Sequence, residues 1–97
     1  MHVLALSVEL RLPSCRSLKD KRQILRPVVD GLRHRHRVSV AEVDAQEQWQ
    51  RACIGVSVVA ASAAGAQEWM DQIERFMWSR PDLEVVDIQR HWMELER

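Results

Sequence analysis

An α+β domain with the element order β-α-β-β-α-β is predicted by three features of this sequence. Residues 2–12 alternate in character, two long segments repeat apolar residues at helical spacing, and two valine- and isoleucine-rich runs flank six mostly polar residues. Alternation with period two marks a half-buried strand, a period near 3.6 marks an amphipathic helix, and paired β-rich runs around a polar turn mark a hairpin.

Each element has its own warrant. In the first stretch Leu4, Leu6, Val8, Leu10 and Leu12 share a parity with His2, opposite Val3, Ala5, Ser7, Glu9 and Arg11. Pro13 and Ser14 end that strand, and Ser17 with Asp20 three residues on has the spacing of an N-cap and its N3 partner, so a helix begins near Leu18. On a helical wheel with Lys19 at zero, Leu18, Ile24, Leu25, Val28, Val29 and Leu32 fall between about 140° and 280°, which makes that sector the core face. Pro27 lies mid-helix, where a missing N–H predicts a kink or two shorter helical pieces. Arg37–Asp44 and Arg51–Ala60 form the predicted hairpin around residues 45–50. Beyond Ser62, Ala66, Trp69, Met70, Ile73, Phe76 and Met77 form the apolar face of a second helix that Pro81 stops. Leu83 to about Trp92 is the last strand, with Val86 and Ile88 on one parity.

Two right-handed crossovers and one hairpin close this order most simply as a ferredoxin-like sandwich, a four-stranded antiparallel sheet with both helices on one face. The other sheet face is left open, with Trp49 and Trp92 as candidate contacts on it. A chain of 97 residues, 46% of them hydrophobic, suits one core, so residues 1–97 are expected to form a single domain. Cys15 and Cys53 are too few for a disulfide scaffold, and without a recognisable signal peptide a cytoplasmic location is expected. Apolar runs such as Ile54–Ala61 fall well short of the ~20 residues that cross a bilayer, so no membrane span is expected.

The net charge of zero conceals a strong asymmetry. From Arg11 to Arg37 nine basic residues face two acids, a net of +7, while Glu9 leaves residues 1–10 at −1 and residues 38–97 carry −6. Lys19, Arg22, Arg26 and Arg33 cluster within about 60° on the side of the first helix away from its core face. With Arg16 and Arg37 at its ends, this stripe suits a phosphate backbone, bound through release of counterions. A solvated helix face is the plainer alternative. Unpaired N–H groups near Ser17, with Lys19 and Arg22, also suit a single phosphate, although a simple N-cap accounts for Ser17 equally well.

Other clusters admit two readings as well. Glu42, Asp44, Glu47 and Arg51 stand around the hairpin, where paired carboxylates suit acid–base work or a hard metal. Cross-strand ion pairing, with Arg51 reaching Asp44 or Glu42, is the plainer expectation. Cys15, before a helix start and beside Arg16, has a setting that lowers a thiol pKa, but no histidine is placed in sequence to act as its base. His34 and His36 lie among arginines that repel a metal ion and are expected to be solvated or phosphate-facing. Cys53 is expected to pack as a small hydrophobe. No catalytic set, cofactor site or metal site is predicted.

Several blocks resemble the bacterial YlxP-like family, also known as domain of unknown function 503. They are Ser17-Leu18-Lys19-Asp20-Lys21-Arg22, then Ser39-Val40-Ala41-Glu42-Val43-Asp44 with Gln46, and Trp49-Gln50-Arg51-Ala52 leading into Ile54-Gly55-Val56. The resemblance covers nearly the whole chain and implies the same fold. Pro27 and the run from Arg33 to Arg37 depart from the family pattern. The family has no established activity, but its genes often lie beside those of translation and ribosome-maturation factors, which implies a role near RNA or the ribosome.

The expected function is therefore a non-enzymatic accessory factor that touches ribosomal RNA or a ribonucleoprotein through the first helix, in monomeric or homodimeric form. It is not a standard RNA-recognition motif, because the central strands lack the exposed aromatics which that module stacks on bases; Trp49 alone is placed to stack from the hairpin loop. One alternative is a protein-binding or structural module that pairs through the open sheet face. Another is a phosphoanion enzyme like the acylphosphatases, which share this topology and hold phosphate with a loop arginine. Arg16 is the only analogue of that arginine, and the glycine-rich loop is absent.

Overall fold

The computed structural model describes residues 1–94. Its elements are β1 (His2–Arg11), α1 (Leu18–Arg35), β2 (Ser39–Asp44), β3 (Arg51–Ala60), α2 (Ala63–Trp78) and β4 (Glu84–Glu94). The strands form one sheet in the order β2-β3-β1-β4 with every neighbouring pair antiparallel, the topology of a ferredoxin-like sandwich. β1 is central because its even-numbered side chains, Leu4 to Leu10, all point into the core and are at most 1% exposed. Leu25, Val28 and Leu32 of α1 and Ala66, Met70, Ile73 and Met77 of α2 join the same cluster, so both helices cover one sheet face.

Capping sets the helix starts. Ser17 Oγ accepts the N–H of Asp20 at 3.1 Å, while Asp20 Oδ2 accepts the N–H of Arg16 at 2.9 Å. The first bond satisfies a donor that the first turn leaves without an intrahelical partner, and the second fastens the residue before the cap to that turn. Ser62 caps α2 through the N–H of Gly65 at 3.1 Å. At the other end of α1, Arg37 takes φ 56°, and Val38 N–H returns to Leu32 O at 3.4 Å. The chain thus leaves α1 through a left-handed residue that is not glycine.

Three details correct the sequence reading. Of the two outcomes expected at Pro27, a kink or a split, the split does not occur: α1 is one element of 18 residues, with Pro27 on the exposed side while Leu25, Val28 and Leu32 anchor the turns around it. In β4 the parity breaks. Glu9 faces Asp87 and Leu10 faces Val85, leaving Val86 as the extra residue of a bulge, 58% exposed, so that Val85 and Ile88 pack on the core instead. Trp92 does not join the open face. It lies opposite Leu4, and cross-strand partners project to the same side of a sheet, so Trp92 is on the helix side and 41% exposed because β4 is an edge.

The two edges differ. On β2 the carbonyls of Val40 and Glu42 accept from the side chains of Arg33, at 3.2 Å, and Gln46, at 3.4 Å, which occupies acceptors that a foreign strand would need. Val43 is a second bulge residue and packs across Gly55. β4 is tied to α2 by Arg90, which donates through Nε to Glu74 at 2.8 Å and through a terminal nitrogen to Asp71 at 2.8 Å.

Candidate nucleic-acid interface

The end of the molecule that carries the basic helix is assembled around Lys21. Its side chain is 2% exposed, and its ammonium donates to Ala45 O at 2.7 Å and to Gln46 O at 3.4 Å. The same nitrogen stands 2.6 Å from Glu42 Oε2, an ionic contact to a buried oxygen that has no aligned hydrogen bond. Ala45, at φ 60°, turns its carbonyl toward α1, and Asp44 Oδ1 accepts the N–H of Ala45 at 2.8 Å. Gln50 makes the second tie: its Nε2 donates to Cys15 O at 3.1 Å, and its carbonyl accepts the N–H of Leu12 at 3.0 Å. The β2–β3 turn, the β1–α1 loop and the first turn of α1 are therefore one clamped unit.

Sequence reasoning missed Lys21 by counting it with the surface charges. The signal was present, since Lys21 lies at about 200° on the wheel that placed the core between about 140° and 280°. A lysine at the centre of an apolar sector is a buried cation in search of a carboxylate.

The hairpin carboxylates do not converge on Arg51. Arg51 instead donates to Glu9 of β1, through Nε at 3.1 Å and a terminal nitrogen at 2.7 Å. Cross-strand geometry decides this, because Glu9 lies opposite Cys53, two residues from Arg51 and on the same sheet face. The guanidinium holds the Glu9 carboxyl below its ordinary pKa, chiefly through that hydrogen bond. Asp44 serves its own turn, Glu42 faces Lys21, and Glu47 and Trp49 are exposed in the loop, Trp49 at 51%. Of the four hairpin residues singled out by sequence, Glu42, Asp44 and Arg51 thus serve separate contacts and Glu47 stands exposed.

The basic stripe is on the surface as expected. Lys19, Arg22 and Arg26 are exposed and, among the described residues, have no carboxylate partner. Arg16 and Arg37 are exposed near its two ends. Arg33 is exposed too, but a terminal nitrogen is held by Val40 O. Asp30 lies on the same side of α1 and interrupts the positive charge. Between this face and β2 runs a groove of about 430 Å³. Leu18, Leu25 and Val29 supply its apolar lining, Arg22 and Arg26 one side, and Glu42 and Glu47 the other.

The remaining candidates resolve into structure. Cys15 is fully buried, and loss of solvent pushes its thiol pKa up, the opposite of the reactive setting that its neighbours suggest. His34 is exposed, but His36 is half-buried, with its ring 5.1 Å from that of Phe76 and its carbonyl accepting the Trp69 indole N–H at 2.7 Å. Burial, followed by the charge of Arg35, lowers the His36 pKa. Cys53 is buried as a small apolar residue with its sulfur 3.8 Å from Ser7 Oγ. Among the described residues no three metal-ligating side chains come together, and no helix is long and apolar enough to cross a membrane.

Comparison with known proteins finds a family and a relative. The model of a family described as "Protein of unknown function (DUF503)" matches residues 3–90. A protein of Bacillus subtilis (strain 168), described as uncharacterized protein YlxP, is 28% identical over 76 residues, covering 78% of this chain and 83% of that protein.

Proposed function

Because the chain belongs to the DUF503 family, whose description carries no activity, we propose a function from its own surface: a non-enzymatic cytoplasmic factor that docks on ribosomal RNA or a ribonucleoprotein through α1. One observation carries this reading, the three exposed cations Lys19, Arg22 and Arg26 that no carboxylate of the described residues neutralises. Lys21, Arg51 and Arg90 are each engaged by an acid; among the described residues Arg11, Arg75 and Arg80 are without one too, but they stand apart on other parts of the fold, whereas Lys19, Arg22 and Arg26 share one helix face. Lys19 to Arg33 covers about 21 Å of helix, enough to follow several phosphates. Anchoring of α1 through Lys21 holds that face rigid against the hairpin.

The test is binding to ribosomal RNA and to an unrelated structured RNA across a salt series, with wild type beside a Lys19→Glu, Arg22→Glu, Arg26→Glu triple variant. Loss of three phosphate contacts lowers the slope of log affinity against log salt by about 2 to 3. No binding by wild type at low salt overturns the proposal.

The open sheet face favours a second reading, pairing with another copy of the chain. Val3 lies opposite both Val59 and Met93, forming an apolar row across three strands in which Val59 is 60% and Met93 56% exposed. Beside it, Ala5, Ser7, Gly55 and Ser57 leave the sheet low enough for close approach. Sedimentation of wild type and Val59→Lys tests it: a dimer that Val59→Lys dissociates supports the face, and a monomer at high concentration excludes it.

A further inference from the structure

We infer that the groove between α1 and β2 is a nucleobase site for an unpaired guanosine of single-stranded RNA, a reading that rests on the RNA-docking role of α1 and adds base selectivity to it. The groove's volume of about 430 Å³ has room for one nucleotide. Its two sides differ in charge, with Arg22, Arg26 and Arg33, interrupted by Asp30, on the α1 side opposite Glu42 and Glu47 of the hairpin. The arginines belong to the exposed stripe, so a strand whose phosphates lie on that stripe brings its bases to the groove mouth. Guanidinium planes also stack on bases, and Leu18, Leu25 and Val29 supply apolar surface beneath.

The carboxylates determine which base fits. Glu42 meets the Lys21 ammonium through Oε2, and its other oxygen has no protein partner among the described residues. A carboxylate only accepts hydrogen bonds, so it calls for a base edge made of donors. Guanine presents two adjacent donors beside its O6 carbonyl, the ring N1–H and the exocyclic N2 amine, for the free Glu42 oxygen and the Glu47 carboxylate to accept. Cytosine and adenine each offer an amine beside an acceptor, and uracil offers one N–H between two carbonyls that a carboxylate repels. Glu47 also lines the shallow surface next to Trp49, so a base neighbouring the guanosine has an aromatic ring within reach for stacking.

Short, uridine-rich oligoribonucleotides that differ only at one central position test the inference. Guanosine, inosine, adenosine, cytidine and uridine are compared, with wild type beside Glu42→Gln and Glu47→Gln, after thermal melts show each variant folded. Wild type should bind the guanosine oligonucleotide about tenfold more tightly than the inosine one, which lacks only the N2 amine. At least one of the two variants should lose that preference while keeping the salt dependence. Equal binding of all five bases overturns the guanosine site and leaves the docking role of α1 intact. Loss of the guanosine preference in neither variant also overturns it. Absence of any RNA binding at low salt removes the docking role itself, and displacement of the oligonucleotide by an acidic peptide with no base preference assigns the groove to a protein segment instead.

Discussion

The ammonium of Lys21 and the carboxylate of Glu42 stand 2.6 Å apart beneath the β2–β3 turn, and this pair joins the two sequence blocks that otherwise have no connection along the chain. Lys21 also holds Ala45 O and Gln46 O, so its removal strands three acceptors, one of them charged. Loss of one partner of a buried pair costs about 3–5 kcal/mol, and the partial exposure of Glu42 places Lys21→Met near the lower end. The double variant Lys21→Met, Glu42→Leu should recover at least half of that loss. Urea unfolding of the two variants measures both; a single variant within about 1 kcal/mol of wild type would show that the turn relaxes to water and that the clamp carries little.

Two groups give stability an opposite dependence on pH at the two ends of the range. His36 has a folded pKa below its ordinary 6.5 because burial disfavours the cation. The unfolded chain therefore binds more protons than the folded one, and stability is lost as pH falls from about 6.5 through the folded value. Cys15 has a folded pKa above its ordinary 9.0 for the corresponding reason, so stability is lost as pH rises past about 9. Denaturant midpoints of His36→Gln should flatten the profile just below about pH 6.5, and those of Cys15→Ala should flatten it above about pH 9. An unchanged acid slope in His36→Gln would place that loss on the carboxylates instead.

Arg37 occupies the left-handed region at φ 56°, where a side chain crowds its own backbone by roughly 1–2 kcal/mol. Glycine removes the strain but adds about 0.5–1 kcal/mol of unfolded-state freedom. Arg37→Gly should therefore stabilise the protein by up to about 1 kcal/mol. If Arg37 contacts RNA, the same variant binds more weakly while melting at a higher temperature, a divergence that differential scanning calorimetry and a binding titration together reveal.

The residues that fix the topology were legible because burial imposes periodicity. Leu4 to Leu10 in β1 and the apolar face of α2 follow from spacing alone, as does the cap Ser17, whose chemistry is local. The misreadings of Arg51, β4 and Trp92 share one cause, a partner distant in sequence. The expected partner of Arg51 is an acid of its own hairpin, yet it uses Glu9, 42 residues away. The parity of β4 depends on a bulge opposite Glu9 and Leu10, which nothing within β4 announces, and the same register decides the side on which Trp92 lies. At the candidate interface the exposed stripe was visible as a wheel pattern, whereas the groove beside it was not, because Glu42 and Glu47 approach α1 only through the hairpin clamp.

Pro27 offers a measure of how much tertiary packing overrides local preference. Proline inside a helix costs about 3 kcal/mol relative to alanine, through a lost N–H bond and contact with the preceding turn. It is tolerated in α1 because Leu25, Val28 and Leu32 on the buried side hold the helix together while the ring faces solvent. Alanine restores the bond without disturbing that packing, and the freedom it returns to the unfolded chain offsets only about 0.5–1 kcal/mol. Pro27→Ala should thus raise stability by about 2 kcal/mol, read as a higher urea midpoint with an unchanged slope. Since Pro27 lies beside Arg26 on the exposed face, RNA affinity tests a second consequence. If the stripe depends on a bend at Pro27 to follow phosphates, the stabilised variant binds more weakly; equal affinity would show that the charges act from a regular helix.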